Sequence, residues 1–142
     1  YMVAMKKVWS GDVVEHQSDF LNWTGFKSFP TPVQRPHPPL LVGGTSKQAL
    51  KRVAQLGDGW YAPSGSPEQL AEQLAELRTI AAEVGRDYST IEITGTWRVA
   101  AQPDAVKQFE DLGVSRLIVP LFSTGKVHYQ DAIDVLAKHT GA

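Results

Sequence analysis

Residues 40–62 read LLVGGTSKQALKRVAQLGDGWYA, and this stretch carries the pattern that decides the fold. It opens with a continuous apolar run at 40–42 that two glycines end, which is typical of a strand buried on both faces. Ser46 can cap a helix that runs to about Leu56, where another glycine follows. A second short strand is predicted at 59–62. The stretch therefore predicts a strand–helix–strand unit of a parallel sheet.

The same alternation continues to the end of the chain. Further strands are predicted at 91–100 and 116–120, and further helices at 67–84, 103–112 and 129–139. Four strand-then-helix units in series predict an α/β fold with parallel strands and right-handed crossovers. Because a full eightfold barrel needs about 250 residues, this chain can supply only about half of one. The expected architecture is a half-barrel or a small open sheet.

The residues before this alternation are organised differently. Residues 1–9 are interpreted as the end of an amphipathic helix, and 13–29 as a short hairpin or irregular excursion whose aromatic side chains cover part of the core. The proline-rich connector at 29–39 cannot be helical, because proline fixes φ and lacks an N–H group. We interpret 1–142 as a single half-barrel domain in which 40–142 holds the four β/α units.

Composition and charge exclude several function classes. Fourteen Lys and Arg residues against fifteen Asp and Glu residues give a net charge of -1, which offers no electrostatic footprint for nucleic acid or an anionic membrane. The chain has no cysteine, and its four histidines lack metal-ligand spacing, so we predict no metal site. No apolar stretch reaches the roughly 20 residues of a membrane helix, and the start is not a signal peptide. We expect a cytoplasmic protein.

A candidate anion site follows the first predicted strand. In parallel α/β folds, ligands bind beyond the carboxyl ends of the strands. Gly43 and Gly44 let backbone N–H groups approach an anion, the hydroxyls of Thr45 and Ser46 can donate, and the helix start adds a positive dipole end. A phosphate fits these groups. The alternative is a plain strand-to-helix turn with a serine cap, since the motif is neither a Walker sequence nor GxGxxG.

Three other segments are weighed as ligand contacts. Residues 123–126 follow the fourth predicted strand and form either a rival anion site through Lys126 or a solvated loop. Arg98 could pair with an acidic ligand or form an ion pair at the surface or core edge. Asp58 precedes a strand, which favours a structural role in a turn. No nucleophile elbow and no Ser-His-Asp arrangement is present, so no catalytic residue is predicted.

The order of three segments resembles one known family. The proline-rich PTPVQRPHPP at 30–39, LLVGGTS at 40–46 and ALKRVAQLGDGW at 49–60 together resemble the luciferase-like monooxygenases. This family includes flavin-dependent monooxygenases and oxidoreductases that use the deazaflavin coenzyme F420. MKKVW at 5–9 is similar to the family's helix before its mid-chain insertion, and DLGVSRLIVPL at 111–121 is similar to its final strand entry.

The resemblance implies a (β/α)8 TIM barrel of which this sequence matches the C-terminal half. It places Gly43, Gly44, Thr45 and Ser46 near the phosphate end of FMN or coenzyme F420. The implied function is hydride transfer to, or monooxygenation of, a small organic substrate, in a chain that is incomplete alone. The family's N-terminal half, which supplies the usual catalytic groups, has no counterpart in this sequence. The alternative is a non-catalytic, self-associating half-barrel with at most a residual phosphate site.

A half-barrel has exposed surfaces that need a partner. Two strand edges and the inner sheet face stay open when the other half is lacking. We therefore expect a homodimer, by closure of a pseudo-barrel or exchange of an element, or a partner that supplies the missing half. Met2 could be an initiator that follows a vector-derived Tyr1, which fits a naturally short gene; a truncated chain fits the sequence equally.

Overall fold

The computed structural model of the chain describes residues 1–99, 101–126 and 128–140. The chain divides into two compact units, Tyr1–Leu40 and Leu41–Ala142. That residues 1–142 act as one domain stays a prediction.

The first unit consists of a short helix and a β-hairpin. Helix α1 spans Met2–Trp9, and strands β1 (Val14–Gln17) and β2 (Asn22–Phe26) pair antiparallel as a two-stranded sheet. The predicted helix end is therefore present, and of the two alternatives for the next segment the hairpin is found. Residues 29–39 form neither helix nor strand, as their prolines require.

That the aromatic side chains of residues 13–29 cover part of the core stays a prediction, and two of these side chains are largely exposed. Phe20 is 78% exposed and Phe29 is 71% exposed. Trp23 is half-buried and stacks on the exposed Phe26 with ring centroids 5.0 Å apart. Successive side chains of a strand point to opposite faces, so the two-stranded hairpin carries side chains on both of its faces.

The second unit holds a fully parallel four-stranded sheet. Its strands are hydrogen-bonded in chain order and are β3 (Leu41–Gly43), β4 (Gly59–Tyr61), β5 (Glu92–Thr96) and β6 (Arg116–Ile118). The predicted α/β class with parallel β/α units is confirmed. Strand β5 ends before the predicted limit at residue 100, and Ala100 lies outside the described residues.

A helix follows each strand of this sheet. These helices are α2 (Lys47–Leu56), α3 (Pro67–Glu83), α4 (Val106–Asp111) and α5 (Tyr129–Thr140). Helix α4 starts later than predicted because Ala105 N first closes a turn onto Gln102 O. Short 3-10 helices at Tyr88–Thr90 and Leu121–Thr124 were not predicted, since one turn leaves no periodic signal. Among the described residues, no helix is long and apolar enough to cross a bilayer.

The strand register separates two faces of the sheet. Gly95 lies on the face toward α4, because a Cβ placed there would be 3.7 Å from Phe109 Cδ1. Trp60 and Ile93 are cross-strand partners on that helix-covered face, and both are buried. We call the opposite side the inner face; it carries Tyr61, Thr94, Thr96, Arg116 and Ile118. The apolar core of this unit therefore lies between the sheet and its helices.

Candidate functional site

The strands bring several predicted segments to one edge of the sheet. Gly43, Tyr61, Thr96 and Ile118 are the last residues of β3, β4, β5 and β6, and we call the edge they form the carboxyl edge. Because the four strands run in the same direction, the loops that follow them all start at this edge. Ligands of parallel α/β folds bind on that side.

The turn after β3 is held in a conformation that favours glycine. Gly44 has a φ of 107°, and a Cβ placed there would lie 3.2 Å from the Cβ of Ala49. The indole Nε1 of Trp60 donates a 2.8 Å hydrogen bond to the Gly44 carbonyl oxygen. Trp60 is fully buried, so it anchors this turn to the core. The turn is therefore a defined cradle in which a side chain at Gly44 would be strained by the backbone conformation and crowded against Ala49.

The residues after Gly44 leave hydrogen-bond donors open to solvent. Thr45 and Ser46 are exposed, and Ser46 Oγ caps α2 by accepting from Ala49 N at 3.2 Å. The cap uses a lone pair of the serine oxygen, so its proton can still be donated. The other N–H groups of the first turn of α2 have no acceptor within the helix and carry the positive end of its dipole. This geometry can bind an anion such as phosphate.

A hydroxyl pair beside this cradle is a feature that sequence reasoning missed. Thr96 Oγ1 lies 3.2 Å from Tyr61 Oη and 3.3 Å from the Ala62 carbonyl oxygen. The Tyr61 ring also borders β3, because a Cβ at Gly43 would be 3.7 Å from Tyr61 Cδ1. The alternation of Thr94 and Thr96 was the available signal for a polar sheet face, but no local pattern joins either residue to Tyr61.

The rival segment at 123–126 offers fewer free donors. The Ser123 hydroxyl donates to the Pro120 carbonyl at 2.6 Å, and the Thr124 hydroxyl donates to the Leu121 carbonyl at 2.7 Å. Both side chains are buried in their own 3-10 turn, whereas Lys126 is exposed. The segment therefore presents the Lys126 ammonium group as its anion contact, which agrees with the solvated-loop alternative.

Arg98 lies after β5 and not within a strand. It is exposed, and its guanidinium carbon is 3.8 Å from the Cβ position of Gly65, at the entry to α3. Between described residues, no ion pair includes Arg98. At the same helix start, the backbone N–H of Glu68 and the Ser66 hydroxyl hold the pKa of the Glu68 carboxyl below its ordinary value.

Asp58 lies at the opposite, amino-terminal end of the sheet, just before β4. Its carbonyl oxygen accepts a 3.1 Å hydrogen bond from Glu92 N, which agrees with a structural role in the turn. Across residues 1–99, 101–126 and 128–140, no group of three or more His, Asp or Glu side chains is placed to hold a metal ion.

Comparison with known proteins identifies one family. Residues 1–129 match the family model described as luciferase-like monooxygenase. An uncharacterized protein of Mycobacterium tuberculosis is 34% identical over 110 residues, which cover 78% of this chain and 37% of that protein. The FMNH2-dependent dimethylsulfone monooxygenase of Pseudomonas putida is 29% identical over 85 residues, which cover 60% of this chain and 23% of that protein.

A solved structure shares the fold. The coenzyme F420-dependent tetrahydromethanopterin reductase of Methanopyrus kandleri superposes with a TM-score of 0.58 at 16% identity, over 65% of this chain and 26% of that chain. This likeness shows the fold of a luciferase-like TIM-barrel protein and covers part of it. The chain spans 37% of the mycobacterial relative and smaller shares of the other two proteins.

Proposed function

Since this chain belongs to the luciferase-like monooxygenase family, we propose that it forms the phosphate-binding part of a site for FMN or coenzyme F420. Members of this family use one or the other of these cofactors. When bound, such a cofactor supplies hydride transfer or oxygen chemistry toward a small organic substrate. The protein residues described below bind and orient it.

The main support for the proposal is the cradle formed by residues 43–46. Gly44 leaves the space that a Cβ would fill, and the Thr45 and Ser46 hydroxyls and the first N–H groups of α2 can all donate to a phosphate oxygen. No carboxylate occurs in these four residues, so nothing there repels a dianion. These residues fit a phosphate group, and we assign them binding and orientation and no proton transfer.

A fluorescence titration of the purified chain tests the proposal. FMN and then coenzyme F420 are added at a measured oligomeric state, and we expect saturable micromolar binding of one of them. Turnover assays with the bound cofactor would follow. If neither cofactor binds, the chain does not retain a working site, and the alternative of a non-catalytic half-barrel is favoured.

We also propose that the open sheet is completed by a second half, from another copy of this chain or from a polypeptide that supplies the missing half. Strands β3 and β6 are the two edges of the sheet, so each presents unpaired backbone groups. On the inner face next to the β6 edge, Ile118 is 44% exposed and the side chain of Arg116 is 59% exposed. Closure by a second four-stranded half would remove both edges and cover Ile118.

Light scattering checks the self-associating form of this proposal. We expect a mass of twice the 15.6 kDa of one chain, and a shift toward the single-chain mass for Ile118→Glu, because a carboxylate would be placed in the closed face. Ile133→Glu is the matched control, since Ile133 is 48% exposed on helix α5. A well-folded monomer of the parent chain at high concentration would rule out the homodimer.

A further inference from the structure

We infer that the Tyr61 phenol, positioned by Thr96, is a hydrogen-bonding contact for the polyol and ring portion of the flavin-type ligand, separate from its phosphate contacts. This inference rests on the proposed function, because it names a second contact for the same ligand. Three features carry it: the place of Tyr61 on the sheet, the space beside Gly43, and the hydrogen-bond capacity of the hydroxyl pair.

The register places Tyr61 on the inner face at the carboxyl edge. Tyr61 pairs with Gly43 on β3 and with Thr94 on β5, and paired side chains share a face. Thr96 lies two residues beyond Thr94, so it shares that face and is nearer the carboxyl edge. The Tyr61 side chain therefore reaches from the strand that enters the phosphate cradle to the end of the neighbouring strand β5.

The space between the cradle and the Tyr61 ring holds no side chain from β3. Gly43 is exposed, and the nearest atom to a Cβ placed there is Tyr61 Cδ1 at 3.7 Å. A ligand whose phosphate occupies the cradle can therefore continue past Gly43 toward Tyr61. In FMN and in coenzyme F420 a polyol joins the phosphate to the ring system, so hydroxyl groups are the chemistry that comes next.

The hydroxyl pair has hydrogen-bonding capacity left for such a ligand. Thr96 has one hydroxyl proton and two oxygens within reach, Tyr61 Oη at 3.2 Å and Ala62 O at 3.3 Å. If the proton goes to Ala62, the phenol donates to Thr96 and its oxygen can accept from a ligand. If the proton goes to Tyr61, the phenol proton is free for donation. A polyol hydroxyl can serve as either partner.

The burial of the two groups separates their roles. Thr96 is 6% exposed and Tyr61 is half-buried, so Thr96 positions the phenol and Tyr61 is the group a ligand can reach. Within the described part of the chain, the hydroxyl of the neighbouring Thr94 is buried without a hydrogen-bond partner. Because buried polar groups normally form hydrogen bonds, the Thr94 hydroxyl is a second group on the inner face that favours a polar ligand there.

The test compares FMN with riboflavin, which has the polyol and ring without the phosphate. We expect Tyr61→Phe to weaken the binding of both probes by a similar factor, about three- to tenfold for one lost hydrogen bond. Tyr88→Phe is the matched control. Tyr88 lies in the 3-10 helix before β5, at the other end of that strand, where the Arg78 guanidinium carbon is 4.8 Å from the centre of its ring.

The role of Thr96 is tested by two substitutions. Thr96→Val removes the hydroxyl and should weaken FMN binding about as much as Tyr61→Phe, whereas Thr96→Ser keeps the hydroxyl and should restore affinity. If Thr96 had only a structural role, the loss of FMN affinity would parallel the loss of thermal stability. The thermal midpoint of unfolding is therefore measured for both variants. Loss of affinity in both variants in proportion to the midpoint would overturn the positioning role.

The outcomes distinguish this inference from the proposed function. If the parent chain fails to bind FMN, the proposed function is overturned and the inference falls with it. If the parent binds FMN and Tyr61→Phe binds it equally well, only the inference is overturned. A loss for FMN without a loss for riboflavin would place Tyr61 at the phosphate and would also overturn it.

Discussion

Replacing Gly44 with valine should weaken FMN binding by the chain about five- to 150-fold. Gly44 has a φ of 107°, which a β-branched side chain does not tolerate, and the new Cβ would press on the Cβ of Ala49 at the start of α2. Relief of this strain moves the N–H groups that form the cradle. A backbone strain of about 1–3 kcal/mol corresponds to a roughly five- to 150-fold loss of affinity, which a fluorescence titration measures.

A second glycine provides the control for this substitution. Gly85 follows helix α3 with a φ of 69°, and a Cβ there would meet nothing within 4 Å. Gly85→Val therefore introduces a similar backbone strain away from the cradle, and it should lower stability without changing FMN affinity. Equal affinities of Gly44→Val and the parent chain would show that the Gly43–Ser46 assignment (residues 43–46) is wrong.

The largest loss of stability is expected for Leu74→Ala. Leu74 is fully buried on α3, which packs against α2 over the sheet. Removing a buried leucine side chain costs about 2–5 kcal/mol, through lost burial and the cavity that remains. Because a domain is stable by only about 5–15 kcal/mol, this is a large share of the free energy of unfolding. Urea denaturation monitored by circular dichroism measures the difference in the free energy of unfolding between Leu74→Ala and the parent chain.

Leu121→Ala is the matched control for the packing argument. Leu121 is 51% exposed in the 3-10 turn after β6, so its truncation should change the free energy of unfolding by less than about 0.5 kcal/mol. Similar denaturation midpoints for the two variants would contradict the burial of Leu74 in this core.

The elements of the second unit were predictable because their signals are local. Ser46 stands before periodic apolar residues and accepts the expected capping hydrogen bond from Ala49 N. Ser66 accepts the equivalent bond from Gln69 N at the start of α3. Glycine and short apolar runs marked the four strands in the correct order. The late start of α4 and the two 3-10 helices escaped prediction, because single turns depend on individual backbone hydrogen bonds.

The candidate site was predictable only in part. The loop at 43–46 could be placed at the carboxyl edge, because every parallel strand ends there. The hydrogen bond that holds this loop could not be predicted, because Trp60 donates to the Gly44 carbonyl oxygen across 16 residues of sequence. The contact between Tyr61 and Thr96 spans 35 residues and likewise has no local pattern.

The sequence by itself determined the α/β order, the helix caps and the glycine turn, because each depends on side chains within a few residues of one another. The tertiary structure alone decided that Trp60 holds the turn, that Tyr61 and Thr96 meet on the inner face, and that Phe20 and Phe29 stay exposed. These features depend on strand register and on packing between segments distant in the chain, which residue patterns do not encode position by position.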